Sequence, residues 1–388
     1  IARAVYEQMQ NLSYVHGTMF TSQAAEDLAA ALARLAPGEI DRFYFMSSGS
    51  EAVETAIKLA RQIHLAQGRA ARTVLISRWK SYHGLTMGAL AAAGRTFFRA
   101  PFEPMFRDAV HIPAPYCLRC PFGLTHPQCG LRCALALEEA ILNQGAEVVS
   151  AFLAETVSGA TLASYPPPPG YWKTIREICD RYQVLLIQDE VMCGMGRTGR
   201  WFASEHDEVE PDLVTLGKGL SGGTLPLSAV GVSTERMEQV AQGSGNFVHG
   251  GTYSHGSVAC AAGLAAVQLM ERDSLVQRVR EEGSFVGQIL RERLDDSPYV
   301  GDIRGIGMMW GVEFVQEREF LTPFPRKDKV AERLWDALFR RGVITYKSMG
   351  LAGLNGDGLM VAPPYIIERR DVESVADLMR EAVDEVLG

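Results

Sequence analysis

Three short stretches set reactive side chains among small residues, each beside an apolar run. In Asp212–Gly223, Lys218 follows the run Leu213–Leu216 and stands between Gly217 and Gly219. Glycines there leave room for a bulky planar ligand against the backbone. An amine at the mouth of an apolar pocket has its charged form disfavoured and can act as a nucleophile. Taken singly, the stretch reads more simply as a solvated lysine in a glycine-rich loop. In Leu185–Val191, Asp189 and Glu190 close another apolar run, at the strand end where open α/β sheets bind ligands. A buried aspartate is costly unless it meets a cation. A protonated pyridine nitrogen would serve, because a neighbouring carboxylate favours its charged form; a helix cap or an arginine partner would serve equally. In Phe45–Glu54 a strand ends, small residues turn and a helix begins. Unpaired N–H groups and the helix dipole make such a terminus an anion site. Gly49 allows close approach, and Ser50 can cap the helix while donating its hydroxyl to a phosphate. An ordinary serine-capped helix accounts for that stretch as well.

The elements that must hold these residues show in the apolar patterning. Runs at Arg42–Met46, Thr73–Ser77, Val148–Ala154, Val184–Ile187, Leu213–Leu216 and Leu227–Val232 are apolar almost throughout. Strands apolar on both faces belong in a sheet covered by helices on both sides, a largely parallel α/β core. Helical patterns alternate with them at Ser50–Gln67, Tyr171–Tyr182 and Gly256–Glu271. From about Asp273 the character shifts to a long charged helix (Ser274–Leu294), the strand-like Tyr299–Gly307 and Met308–Phe314, and helical patterns at Lys327–Arg341 and Arg370–Leu387. This predicts a large domain over 1–272 and a smaller C-terminal α+β domain over 273–388. The opening helical pattern Ile1–Met9 is a candidate addition to the smaller domain, and it implies that a segment precedes Ile1.

The 388 residues are 47% apolar and 22% charged, with 38 glycines and a formal net charge of −8. That balance argues against nucleic acid or an anionic membrane as a partner, and no apolar run reaches the length of a membrane span. A long chain of this kind without secretory features reads as cytoplasmic, with reduced thiols.

In order along the chain, Ser48-Gly-Ser-Glu-Ala52, Ser81-Tyr-His-Gly84, Gln188-Asp-Glu-Val191 with Gly196-Arg-Thr-Gly199, Thr215-Leu-Gly-Lys-Gly219, Gly251-Thr-Tyr253 and Ala362-Pro-Pro364 resemble the class III aminotransferases. These are pyridoxal 5′-phosphate (PLP) enzymes of fold type I, with a large domain on a mostly parallel mixed sheet and a smaller C-terminal α+β domain. The phrases span roughly residues 40 to 365, and their joint occurrence outweighs the simpler reading of each. The resemblance implies that Lys218 carries PLP as a Schiff base and later shuttles the substrate proton. Asp189 pairs with the pyridine nitrogen. Val191 and Tyr82 pack on opposite ring faces, and Ser48, Gly49 and Ser50 hold the phosphate. Thr252 is expected to reach the phosphate of a neighbouring subunit, which implies a homodimer with its sites at the interface. Glu155 matches a carboxylate near the cofactor, although its phrase is Glu155-Thr-Val157 where the family has Glu-Pro-Val. His83 is either a cofactor contact or structural, and Arg197 is expected to anchor its loop.

Substrate choice rests on what stands before Ala362-Pro-Pro364. Many superfamily members acting on α-amino acids carry an arginine there, suited to bidentate grip of a carboxylate; here the position is Met360. ω-Transaminases use a mobile arginine slightly upstream. The matching stretch Gly342–Gly350 has none, Lys347 being its possible substitute, and a glycine-rich loop is expected over Gly350–Gly358. The expectation is therefore an ω-amine or β-amino acid donor with a keto acid such as pyruvate as acceptor. Alternatives are a diamino acid substrate, a decarboxylase or aminomutase of the same fold, or a non-catalytic metal-binding scaffold. The scaffold alternative rests on four of the seven cysteines, Cys117, Cys120, Cys129 and Cys133. Their spacing is compatible with tetrahedral zinc, beside buried free thiols or one disulfide, and no metal is expected to take part in the amino-group chemistry.

Overall fold

A computed structural model describes residues 1–388. The larger sheet has seven strands: β1 (Ile40–Met46), β2 (Val74–Arg78), β3 (Val110–Ile112), β4 (Val149–Glu155), β5 (Leu185–Asp189), β6 (Leu213–Leu216) and β7 (Ser228–Ser233). Their spatial order is β1-β7-β6-β5-β4-β2-β3. Only β7 runs against its neighbours, pairing antiparallel with both β1 and β6, and the other pairings are parallel. Every residue of β4, β5, β6 and β7 is buried, as expected for strands covered on both faces.

The first nine helices are α1 (Ala2–Asn11), α2 (Gln23–Leu35), α3 (Gly49–Ala66), α4 (Met87–Ala92), α5 (Thr96–Arg99), α6 (Arg132–Gln144), α7 (Tyr171–Tyr182), α8 (Thr234–Ser244) and α9 (Ser257–Arg272). On one face, Val53, Leu59 and Ile63 of α3 pack on Leu153, Ile187 and Val230. On the other, Leu137 and Ile141 of α6 with Trp172 and Ile175 of α7 cover Ile76, Phe152 and Leu186. The chain continues with α10 (Leu275–Leu294), then the smaller, wholly antiparallel sheet of β8 (Val300–Ile306), β9 (Met309–Glu317), β10 (Thr322–Pro323), β11 (Tyr346–Ala352) and β12 (Asn355–Val361). Helices α10, α11 (Val330–Arg340) and α12 (Arg369–Leu387) build a core over it around Leu290, Phe314, Leu334 and Met379. No helix is long and apolar enough to cross a membrane.

The apolar runs correspond to strands within a residue or two, but three departures stand out. Helices α2, α6 and α8 lie outside the patterns named from sequence. Helix α6 has no start signal, because its N-cap is Leu131 in the left-handed region with no side-chain cap, and α8 buries only Val240. Helix α1 packs against α9 and not against the smaller sheet. The supposed loop Gly350–Gly358 is a hairpin in which β11 and β12 pair from Tyr346↔Met360 to Ala352↔Asn355. Its glycines at 350, 353 and 356 supply positive φ at a register shift and a tight turn, where other residues would be strained.

Candidate active site

The carboxyl ends of β4, β5 and β6 open onto a cavity of about 490 Å³ bounded by the start of α3, the turn after β2 and the strands β11 and β12. Lys218, Asp189, Glu155, Gly49, Ser50, Tyr82, His83 and Val191 all line it, so the sequence-predicted residues converge.

Asp189 is the last residue of β5 and is 4% exposed. Its Oδ1 accepts from Val191 N at 3.0 Å and from Thr215 Oγ1 at 3.1 Å, and its Oδ2 accepts from His83 Nδ1 at 2.7 Å. Three donors fix the carboxylate without an arginine or lysine partner. His83 is a positioning residue for Asp189, its Nε2 lying 3.4 Å from Ser77 Oγ. Thr215 is the contact that sequence reasoning missed; it begins the Thr215-Leu-Gly-Lys-Gly219 phrase and stands opposite Asp189 in the β5–β6 register.

Glu155 ends β4 and accepts from Tyr82 N at 2.9 Å and Gly159 N at 2.7 Å. Burial raises its pKa, opposed by His83 and these two N–H groups. It therefore clamps the Tyr82 backbone. The Tyr82 ring is half-buried, and burial raises its phenol pKa.

At the opening of α3, Ser48 is the N-cap and Ser50 is not. Ser48 has extended dihedrals and its Oγ accepts from Glu51 N, which leaves the N–H groups of Gly49 and Ser50 without a capping acceptor. Ser50 Oγ accepts from Leu85 N at 3.1 Å, so its hydroxyl proton is free to donate to an anion. Close packing of neighbouring side chains explains the glycines. A Cβ on Gly49 would lie 2.8 Å from Val191 Cγ1, and one on Gly84 2.2 Å from Ser50 Oγ at φ +125°.

Lys218 follows β6 with φ +41° and is exposed, at the edge of the open cleft. It is the only amine lining the cavity. A buried carboxylate, a single amine, a ring-stacking tyrosine and a helix N-terminus with a spare hydroxyl fit PLP, whose aldehyde, pyridine nitrogen, ring and phosphate need those partners.

Three expected contributors, Ser48, Thr252 and Lys347, do not line the cavity, and neither do Arg197 or the four clustered cysteines. Thr252 is on an exposed segment and does not line the cavity. Lys347 lies over the Trp335 ring at 4.4 Å. Strand alternation turns it away while its neighbour Tyr346, paired with Met360, faces the cavity. Arg197 donates to the carbonyls of Met308 and Pro363 at 3.1 and 2.6 Å, so it does anchor its loop. The four cysteines form no metal-ligand set. Cys133, in the first turn of α6, is buried and its thiol is pushed up to about 11 by burial, whereas Cys117 is exposed.

Residues 1–383 match the family model described as Aminotransferase class-III. An aminotransferase of Gibberella zeae is 38% identical over 396 residues, covering 100% of this chain and 77% of that protein. The putrescine–pyruvate aminotransferase of Pseudomonas aeruginosa is 33% identical over 386 residues, covering 99% of this chain and 82% of that protein. A thermostable (S)-enantioselective ω-transaminase from Thermomicrobium roseum matches in structure with a TM-score of 0.93 at 37% identity, over 100% of this chain and 84% of that one.

Proposed function

The chain belongs to the class III aminotransferases, PLP-dependent enzymes that move an amino group from an amine to a keto acid, and we propose that its donor is an ω-amine or β-amino acid and its acceptor pyruvate. The observation that carries this reading is the cavity wall. Met360 and Tyr346 occupy it, and none of its 14 lining residues is an arginine. A donor with an α-carboxylate would bury a charge there without a guanidinium to meet it. The putrescine–pyruvate and ω-transaminase relatives agree with this assignment. A decarboxylase or aminomutase is not favoured, since the relatives and structural neighbours are aminotransferases.

Bound PLP supplies the electron-withdrawing ring that stabilises the electron pair left when a proton leaves the amine-bearing carbon. Lys218 Nζ would hold the cofactor and, once free, would take and return that proton. Asp189 would meet the pyridine nitrogen, where a carboxylate favours the protonated ring. Val191 and Tyr82 hold the ring flat from its two faces, while Ser50 and the first turn of α3 bind the phosphate. Glu155 fixes Tyr82. These assignments rest on the distances above and on the order of the motifs.

The active assembly is a homodimer divided at about residue 272 into a large and a small domain, with Thr252 serving the partner's phosphate. Met19, Phe20, Val248 and Tyr253 are 75%, 60%, 67% and 71% exposed; covering them requires another surface. A donor–acceptor matrix read by loss of cofactor absorbance tests the substrate reading. n-Butylamine and β-alanine should discharge the absorbance, and pyruvate should restore it. Discharge by glutamate alone would contradict the assignment.

A further inference from the structure

Between α8 and α9 the chain is laid along α3, the helix whose first turn faces the cofactor space. Three α3 residues spaced to share one face, Thr55, Lys58 and Gln62, hold it there. Gln62 donates to Ser244 Oγ and to the Asn246 carbonyl, and accepts from Val248 N at 3.0 Å. One turn nearer the start of α3, Lys58 Nζ lies 2.9 Å from His249 Nδ1, and Thr55 Oγ1 lies 2.8 Å from His249 Nε2. From β1, Tyr44 donates to the His249 carbonyl at 3.2 Å. His249 is thus the last side chain bonded to α3 before the Gly250-Gly251 pair that carries Thr252. Thr252 itself is exposed and lies outside its own chain's cavity.

The partners fix the state of the His249 ring. A lysine ammonium only donates, so Nδ1 accepts. The Thr55 hydroxyl gives its own proton to the Glu51 carbonyl at 2.6 Å, so Nε2 carries the ring proton and donates to Thr55 Oγ1. The imidazole is therefore neutral. A second ring proton would land on Nδ1, break the bond from Lys58 and set two cations against each other. Burial lowers the His249 pKa below its ordinary value, Lys58 lowers it further, and Glu54 and Glu51 oppose both. On the β1 side the Tyr44 phenol adds no charge, because burial raises its pKa.

We infer that neutral His249 is a positioning residue for the cofactor site of the second copy: it holds residues 246–249 on α3 and so aims Thr252 at the phosphate bound by the first turn of α3 in the partner. The inference rests on the homodimer reading, in which Thr252 serves the partner's phosphate. One helix then serves both sites. Its first turn binds one phosphate, and its flank steers the threonine that reaches the other. Acid loosens the cofactor by releasing His249 from Lys58.

The test titrates PLP into the apoenzyme from pH 8 to 5 and reads affinity from cofactor absorbance, with sedimentation of each variant to show that it remains a folded dimer. Thr252→Ala and His249→Ala should each weaken PLP about tenfold, as loss of a hydrogen bond to a charged group does. The double variant should be no weaker than either, because one residue acts through the other. His249→Gln keeps an acceptor for Lys58 and a donor for Thr55 but cannot be protonated. It should restore the affinity and remove the part of the acid fall-off that lies below pH 6.5. Thr55→Val covers a His249→Ala chain that fails to fold, and should weaken PLP in the same direction. Additive losses in the double variant overturn the positioning role and leave the dimer reading intact, as does normal PLP binding by His249→Ala while Thr252→Ala binds weakly. Thr252→Ala without effect overturns both.

Discussion

Asp189 is held at the base of a cavity by Val191 N, Thr215 Oγ1 and His83 Nδ1, which all donate to it. Replacing it with asparagine keeps the volume but removes the charge and turns an NH2 toward one of those donors. Asp189→Asn should lower the half-reaction rate by on the order of 10²–10³-fold, measured by stopped-flow absorbance. His83→Ala removes one charge-assisted bond, worth about 1.5–3 kcal/mol. It should cost about 10–100-fold in kcat and change the pH profile of the cofactor spectrum, which a purely structural loss would not do. At this scale the sequence was most informative. Lys218 and Asp189 sit in phrases whose residue types follow from the chemistry, Glu155 and Tyr82 follow from the family resemblance alone, and all four line one cavity. Ser50 was mistaken for the cap because Ser48 and Ser50 are interchangeable by type, and only the backbone dihedrals at 48 decide. Lys347 was offered as a substrate contact because its side of β11 depends on a register that glycines disguise.

At the scale of elements, the start of α3 works only if the backbone at Gly49 can lie against the Val191 side chain. Gly49→Ala would press a methyl to 2.8 Å from Val191 Cγ1, an overpacking that typically costs about 1–3 kcal/mol. It should weaken PLP affinity about tenfold or more, read by titrating cofactor into the apoenzyme. The other end of α3 predicts an acid response. His64 is buried, donates through Nε2 to Ser150 O at 2.8 Å, and offers Nδ1 no partner. Burial lowers its pKa from 6.5 to about 4. Between those values the unfolded chain takes a proton that the native state refuses, so stability falls as pH drops through this window. His64→Gln should keep a donor to Ser150 and flatten the decline in Tm between pH 6.5 and 4, as followed by calorimetry. Fully buried strands were legible because a short, continuous apolar run bounded by turn residues suits a strand covered on both faces. The hairpin over residues 346–361 was not, because its glycines have the composition of a loop and become strand only through pairing.

The two sheets of the molecule are tied by a buried ionic cluster. Arg304 meets Glu313 Oε2 at 2.9 Å and donates to the carbonyls of Leu162 and Ala163, while Tyr116 donates to the same oxygen and Arg119 to Oε1. Removing one partner strands a buried charge, so Glu313→Ala should destabilise the protein by about 3–5 kcal/mol, seen in the denaturant midpoint. None of this could be read from sequence, since the cluster joins residues far apart along the chain that carry no motif. Cavity, helix terminus and strand ends all converge on one ring-sized space, and the account depends on the amine at its edge. Borohydride treatment of the PLP-loaded protein fixes the cofactor to whichever amine holds it, and peptide mass mapping locates that amine. The account predicts the added mass on the peptide containing Lys218 and its loss in Lys218→Ala; labelling of Lys80 or any other lysine with Lys218 unmodified would contradict it.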